Sequence, residues 1–120
     1  MRAPLSRLPR RAAVLATLAL LAWPVAAQAP ALAMLGTLEK GSWTLRLRNG
    51  SQEGICVRTG EEFIQLRHRQ RGCNRFVVQD GASEVVVQYT CPGNGYGRTS
   101  IRRESRSLVQ ISSSGIANGA

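Results

Sequence analysis

Three cysteines and a single histidine carry the clearest chemistry of this sequence. The 120-residue chain contains Cys56, Cys73, Cys91 and His68. Cysteines form disulfides, bind metals or act as nucleophiles, and the redox compartment largely decides among these roles. Together the four residues would make a formal Cys₃His zinc set. No two of the cysteines have the short C-x₂₋₄-C spacing of a structural zinc site, so we expect neither a metal nor another cofactor.

The sequence contains few residues that could catalyse hydrolysis. His68 and Asp80 are the only histidine and the only aspartate. A Ser–His–Asp triad would need both, and no nucleophile elbow accompanies them. Asp80 opens a predicted hairpin turn, while Glu61 and Glu62 are better explained as helix-start residues than as paired glycosidase carboxylates. We therefore predict no catalytic residue, and we expect His68 to be solvated.

The first 27 residues predict export. A basic head with four arginines is followed by an apolar run over residues 12–25 and then by small residues. This is the layout of a signal-peptide helix, with cleavage after Ala27. The run is shorter than the ~20 residues of a membrane-spanning helix, so the mature form should have no transmembrane anchor. In an exported chain, cysteines are expected to form disulfides.

The charge of the chain depends on this leader. The net charge is +9, but four of the sixteen basic residues lie in the leader, which leaves twelve basic and seven acidic residues and a net charge of +5. A moderately basic domain attracts polyanions without specificity. We therefore expect no specific nucleic-acid partner.

Hydrophobic patterning predicts a mainly β fold. Residues 28–40 have no strong period and are interpreted as a flexible tether, with a single domain over residues 41–120. Trp43, Leu45 and Leu47 alternate with polar residues, and Asn49-Gly50 favours a tight hairpin turn into a second strand at 55–58. A capping box at Thr59–Glu62 predicts one short helix over about residues 60–69.

The second half of the chain predicts an antiparallel meander. A two-residue loop at Gly81-Ala82 would place Phe76 opposite Val87 and Val78 opposite Val85, with these apolar side chains on one buried face. Residues 99–104 and 108–112 are expected to form two more strands. The final residues look like the start of another strand, so we expect the natural domain to continue further.

The predicted register also determines which cysteines can form a disulfide. It places Cys73 and Cys91 on opposite faces of the hairpin, so that a bond between them would need a bulge. A Cys56–Cys73 bond would instead close a loop of about 18 residues, worth roughly 3 kcal/mol. We predict Cys56–Cys73, with Cys91 unpaired within this sequence.

The chain also resembles a known bacterial family. The resemblance rests on residues 39–43, Cys56-Val57, Gly72-Cys73, the strand that ends at Tyr89-Thr90-Cys91, and a Gly-x-Gly before a polar strand. These features resemble the exported domain-of-unknown-function family DUF3617 over residues 39–120. The resemblance implies a small β-rich periplasmic domain without established catalytic residues. Similar proteins continue to a further cysteine, which would supply a partner for Cys91.

These observations favour a non-catalytic binding or envelope-associated module with an unidentified envelope partner. Two alternatives stay open. A pocket that holds His68 near an acid would indicate a hydrolase, and a rigid exposed loop over residues 92–97 would indicate a hydrolase inhibitor. A second alternative is a binder of polyanions such as lipopolysaccharide or nucleic acid, in which binding must weaken as salt rises.

Overall fold

A computed structural model describes residues 31–117 of the chain. The predicted signal-peptide helix and its cleavage site after Ala27 lie outside the described residues. The described part is mainly β, as predicted, with six antiparallel strands in two sheets. The strands are β1 (Gly41–Arg46), β2 (Gln52–Val57), β3 (Asn74–Asp80), β4 (Glu84–Cys91), β5 (Gly95–Ser105) and β6 (Leu108–Ala117). Two 3₁₀ helices accompany them, η1 (Ala33–Thr37) and η2 (Glu61–Phe63).

Strands β1 and β2 form the predicted first hairpin. Trp43 lies opposite Ile55, and both side chains pack against the core. Of the turn residues only Gly50 has a positive φ, +84°, whereas Asn49 uses its side chain to accept a hydrogen bond from the Ser51 backbone. The connection is therefore wider than the predicted tight turn.

Strands β3 to β6 form a meander in chain order, but the register of β3 differs from the prediction. Val77, not Phe76, lies opposite Val87, because Gly81–Ser83 separate the strands and a β-bulge at Val78 shifts the pairing. A one-residue slip moves side chains to the other face of a sheet. Phe76 is consequently 67% exposed and Val78 40% exposed, so their predicted burial is wrong.

The observed register also changes which cysteines are paired. Continued by one residue, it brings Cys73 opposite Cys91, and these two cysteines form a disulfide with Cα atoms 4.3 Å apart. Cys56 is exposed and free. The predicted Cys56–Cys73 bond is therefore wrong, and Cys91 has its partner within the described residues.

Residues 31–40 do not behave as the predicted tether. Met34 and Leu35 of η1 are buried, as are Leu32 and Leu38 on either side of it. Backbone contacts hold the segment as well, since the Glu39 N–H donates to the Arg106 carbonyl at 2.8 Å. The domain therefore includes these ten residues.

The predicted helix over residues 60–69 is reduced to the three residues of η2 and irregular turns. Phe63, Ile64 and Gln65 are consecutive and all buried, which the single apolar face of a regular helix cannot achieve. Gly60, at φ +90°, starts η2 against Leu35, where a Cβ would lie 2.6 Å from the Leu35 carbonyl oxygen.

The core lies between the first hairpin, the two 3₁₀ helices and one face of the four-stranded sheet. Phe63 meets Trp43 edge-on at 5.2 Å between ring centroids. Val85, Val87 and Ile101 supply the sheet side and are almost fully buried. No helix within residues 31–117 is long and apolar enough to cross a membrane.

Candidate functional site

The segment over residues 64–75 contributes to two groups of polar side chains. One group lines an open depression and includes Arg69, Arg71 and Arg75; we call it the arginine groove. The other surrounds the buried side chain of His68 and is called the histidine cluster, comprising His68, Tyr89 and the carbonyls of Asn94 and Ile116. The two groups differ in burial and in how fully their polar atoms are paired.

The arginine groove has a volume of about 510 Å³. That volume lies within the range of small-molecule sites. Its lining combines charged, amide and apolar side chains with one half of the disulfide: Ile55, Glu61, Glu62, Gln65, Arg69, Gln70, Arg71, Gly72, Cys73 and Arg75.

Neighbouring side chains hold two of the three arginines in place. The Arg75 guanidinium donates from Nε to Gln65 Oε1 at 2.7 Å and pairs with Glu61 at 3.3 Å. Arg69 pairs with Glu53 and donates to the Leu66 carbonyl at 3.3 Å. Arg71 has no ion pair among the described residues, so its charge is available to an incoming group.

Glu62 lines the same groove but is directed to the backbone. Its carboxylate accepts hydrogen bonds from the N–H groups of Arg58, Thr59 and Gly60, at 3.1, 3.2 and 2.8 Å. Burial raises the pKa of Glu62, but these backbone hydrogen bonds outweigh it and hold the pKa below its usual value. This is the reach-back of the predicted capping box, but the reciprocal bond differs from the prediction, because Thr59 Oγ1 accepts from the Glu61 N–H at 3.1 Å and Gly60 is the N-cap of η2.

The histidine cluster is buried and fully paired. His68 Nε2 lies 3.0 Å from the Asn94 carbonyl oxygen and 3.1 Å from that of Ile116. In the neutral ring this nitrogen donates to the two carbonyls, so Nδ1 accepts from the Tyr89 hydroxyl at 2.8 Å. Burial raises the pKa of Tyr89, opposed by the nearby positive charge of Arg67.

Two glycines of β5 make room for this cluster. A Cβ on Gly97 would overlap the Tyr89 hydroxyl, and one on Gly95 would overlap the Ile116 carbonyl and lie 3.3 Å from His68 Nε2. The Gly-x-Gly pattern of the sequence is thus explained by close packing, and no phosphate-binding role is needed for it.

The expectation that His68 is solvated is wrong. His68 is only 7% exposed and links the segment before β3 to β4, β6 and the turn after β4. Because both ring nitrogens are committed to these partners, the geometry does not support His68 as a general base. Among residues 31–117, no group of three or more histidine, cysteine or acidic side chains could hold a metal ion.

The turn after β4 is exposed and firmly anchored. Pro92, Gly93 and Asn94 are all exposed. The disulfide fixes Cys91 before the turn, the Asn94 N–H donates to the Cys91 carbonyl at 2.9 Å, and the Asn94 side chain donates to Gln70. It is therefore a short, rigid projection beside the arginine groove.

Sequence reasoning did not identify the arginine groove. Arg69 and Arg71 alternate with His68 and Gln70, and this alternation was the available signal. Comparison of the chain with protein-family models, curated proteins and solved structures found no match.

Proposed function

We propose that this protein is an exported, non-catalytic binding module of the bacterial envelope whose arginine groove takes an anionic group of its partner. The observation that carries the proposal is the open groove with three arginines, of which Arg71 lacks an ion pair among residues 31–117. The partner chemistry that fits is a carboxylate or a phosphate, since the planar guanidinium binds both through two parallel hydrogen bonds.

The groove is suited to binding because two of its three arginines, Arg69 and Arg75, are positioned before a ligand arrives. Gln65 and Glu61 hold Arg75, and Gln65 is itself buried at 7% exposure. Preorganised side chains lose less conformational entropy when they bind. The basic residues outside the leader add a favourable long-range field, which must weaken as salt rises.

Export and a periplasmic location belong to the same proposal. The leader over residues 1–27 supports it, as do the resemblance to DUF3617 and the Cys73–Cys91 disulfide, because disulfides persist in oxidising compartments. N-terminal sequencing of the protein recovered from a periplasmic extract should give Gln28 as the first residue. A product that keeps Met1 would contradict this part.

The groove is tested by titrating inorganic phosphate and citrate into isotope-labelled protein while amide chemical shifts are followed. Shifts should concentrate in residues 61–75, and Arg71→Gln should weaken binding about threefold, as for an exposed charged contact. Arg46→Gln, an exposed arginine on β1 outside the groove, is the matched control. Equal weakening by both variants, or shifts spread over all arginines, would contradict the proposal.

A second candidate function is inhibition of an envelope hydrolase. The anchored turn at Pro92–Asn94 favours it, because a rigid projection loses little entropy on entering an enzyme cleft. Purified protein should then slow peptidoglycan hydrolysis by a periplasmic extract, and Gly93→Trp at the exposed turn should abolish the effect. Unchanged hydrolysis at a large excess of protein would eliminate this candidate.

A further inference from the structure

The four-stranded sheet has two edges that differ in composition. Edge strand β3 contains Arg75 and Asp80 and is interrupted by the bulge at Val78. Edge strand β6 runs over ten residues, Leu108–Ala117, and contains no charged residue and no proline. Within residues 31–117, β6 pairs with β5 on one side and with no strand on the other.

An unguarded edge is unusual for a strand of this length. Edge strands present unpaired backbone N–H and C=O groups, and proteins normally block them with charges, prolines or bulges. Strand β3 has two of these devices, whereas β6 has neither charge nor proline. The difference indicates that β6 is suited to pairing with another strand.

We propose that β6 pairs with β6 of a second copy of this chain, antiparallel across a two-fold axis, to give a continuous eight-stranded sheet. In such an interface the same surface of both copies meets itself. A charge near the axis would face its own copy, and like charges directly opposite are destabilising. The uncharged sequence of β6 therefore favours self-pairing, while a foreign partner would gain more from complementary charges.

The side chains of β6 suit this arrangement. Ser112 and Ser114 share one face with Gln110, and all three are exposed hydrogen-bonding side chains. On the opposite face, Val109 and Ile111 are partly buried against the core and would extend its apolar surface to the second copy. Cross-strand hydroxyl and aliphatic pairs of these kinds stabilise antiparallel sheets.

The dimer would leave the arginine groove open. The groove includes Arg75 of β3, at the opposite edge of the sheet from β6. Each dimer would then present two grooves, and a repetitive anionic partner would bind with avidity. The dimer does not depend on what the groove binds, so either proposal can fail alone.

The first experiment measures mass by sedimentation velocity over a concentration range of about 1 µM to 1 mM, the span of weak association. The gene is expressed in full, and the processed protein carries Cys56→Ser to exclude disulfide dimers through the exposed thiol. The mass should rise with concentration to twice that of one chain. A mass that stays at one chain throughout would overturn the proposal.

Matched charge variants then locate the interface. Ser114→Lys on β6 should shift the midpoint of association at least tenfold, because each copy then carries a charge within the self-paired strand. Gln79→Lys adds the same charge to the exposed face of β3 and should leave association unchanged. An equal shift from both variants would overturn the assignment to β6.

Cysteine scanning gives the register. In the Cys56→Ser background, single cysteines are placed at each position from 109 to 116 and oxidised mildly. A residue on the two-fold axis lies opposite its own copy, at a Cα separation that a disulfide can span. One position should crosslink rapidly and its neighbours poorly. A dimer that crosslinks at none of them, or equally at all, would contradict antiparallel β6 pairing.

Discussion

The histidine cluster and the arginine groove are both polar, and both use the segment over residues 64–75, but they differ in how their hydrogen bonds are satisfied. Each ring nitrogen of His68 has a partner inside the fold, and the side chain is buried. Arg71 lines an open groove and has no ion pair among the described residues. Polar character therefore does not distinguish a structural group from a group that is proposed to bind a ligand, whereas exposure and the lack of an ion pair do.

The difference has an energetic basis. A buried polar group that loses its partner costs the full desolvation penalty, so the histidine cluster can be changed only at the expense of stability. An exposed arginine exchanges hydrogen bonds with water at little cost. Variants of the two regions should thus separate into those that change stability and those that change binding.

Loss of the Cys73–Cys91 disulfide should have the largest effect and should act on both regions. Cys73 lines the groove, and Cys91 precedes the turn that supplies a carbonyl to His68. The double variant Cys73→Ser/Cys91→Ser should lower the free energy of unfolding by about 3 kcal/mol for a bond that spans 18 residues. Urea denaturation measures this.

The matched control for the disulfide is Cys56→Ser, which removes an exposed free thiol. It should change stability by less than about 0.5 kcal/mol, as surface substitutions do. If the control destabilised the protein as much as the double variant, Cys56 would have to be the bonded cysteine.

His68→Ala should have the next largest effect, confined to stability. It leaves the Tyr89 hydroxyl and two carbonyls without their partner, so the free energy of unfolding should fall by about 2 to 3 kcal/mol. Phosphate affinity of the groove should be unchanged. Tyr89→Phe, which removes a single hydrogen bond, should cost about 1 kcal/mol. Unchanged stability of His68→Ala in a denaturant series would contradict the assigned role.

Arg71→Gln should show the opposite behaviour. Because no ion pair within residues 31–117 depends on Arg71, the free energy of unfolding should change by less than about 0.5 kcal/mol. The variant should still bind phosphate about threefold more weakly than the wild-type protein. A marked loss of stability in this variant would remove the distinction between the two regions.

The smallest effect is a pH dependence from Glu62. Its folded-state pKa is lowered from 4.5, so the ionised carboxylate contributes stability above that pH and loses this contribution as pH falls through the lowered value. Wild-type protein should therefore exceed Glu62→Gln in stability near neutral pH, and the gap should shrink in acid. A gap that widened below pH 4.5 would contradict the backbone hydrogen bonds to this carboxylate.

Local patterns were sufficient to predict the strands but not their register. The alternation around Trp43, the glycine in the first turn and the runs on either side of Arg106 predicted strands that the structure contains. The bulge at Val78 has no marker in the sequence, since valine is ordinary in a strand. That one extra residue moved Phe76 to the surface and brought Cys73 opposite Cys91.

The two polar regions were harder to predict because both depend on distant partners. Three arginines within three residues of His68 indicated a solvent-exposed side chain, and no local pattern pointed to contacts with Tyr89 or the carbonyl of Ile116. The groove likewise needs Ile55 from β2 and Arg75 from β3. The burial of residues 31–40 was hard to predict for the same reason. Their leucines follow no strong helical or strand period, and they are buried by contacts with distant parts of the core.

The free thiol of Cys56 makes this protein convenient to observe. It is an exposed free cysteine, and the other two cysteines of the chain are bonded to each other. A maleimide dye or spin label would therefore attach at one known position without any mutation. Cys56 follows Ile55 in β2, and successive strand residues point to opposite faces. Because Ile55 lines the groove, a label on Cys56 would lie on the other face of β2. It would report on binding in the groove without obstructing it.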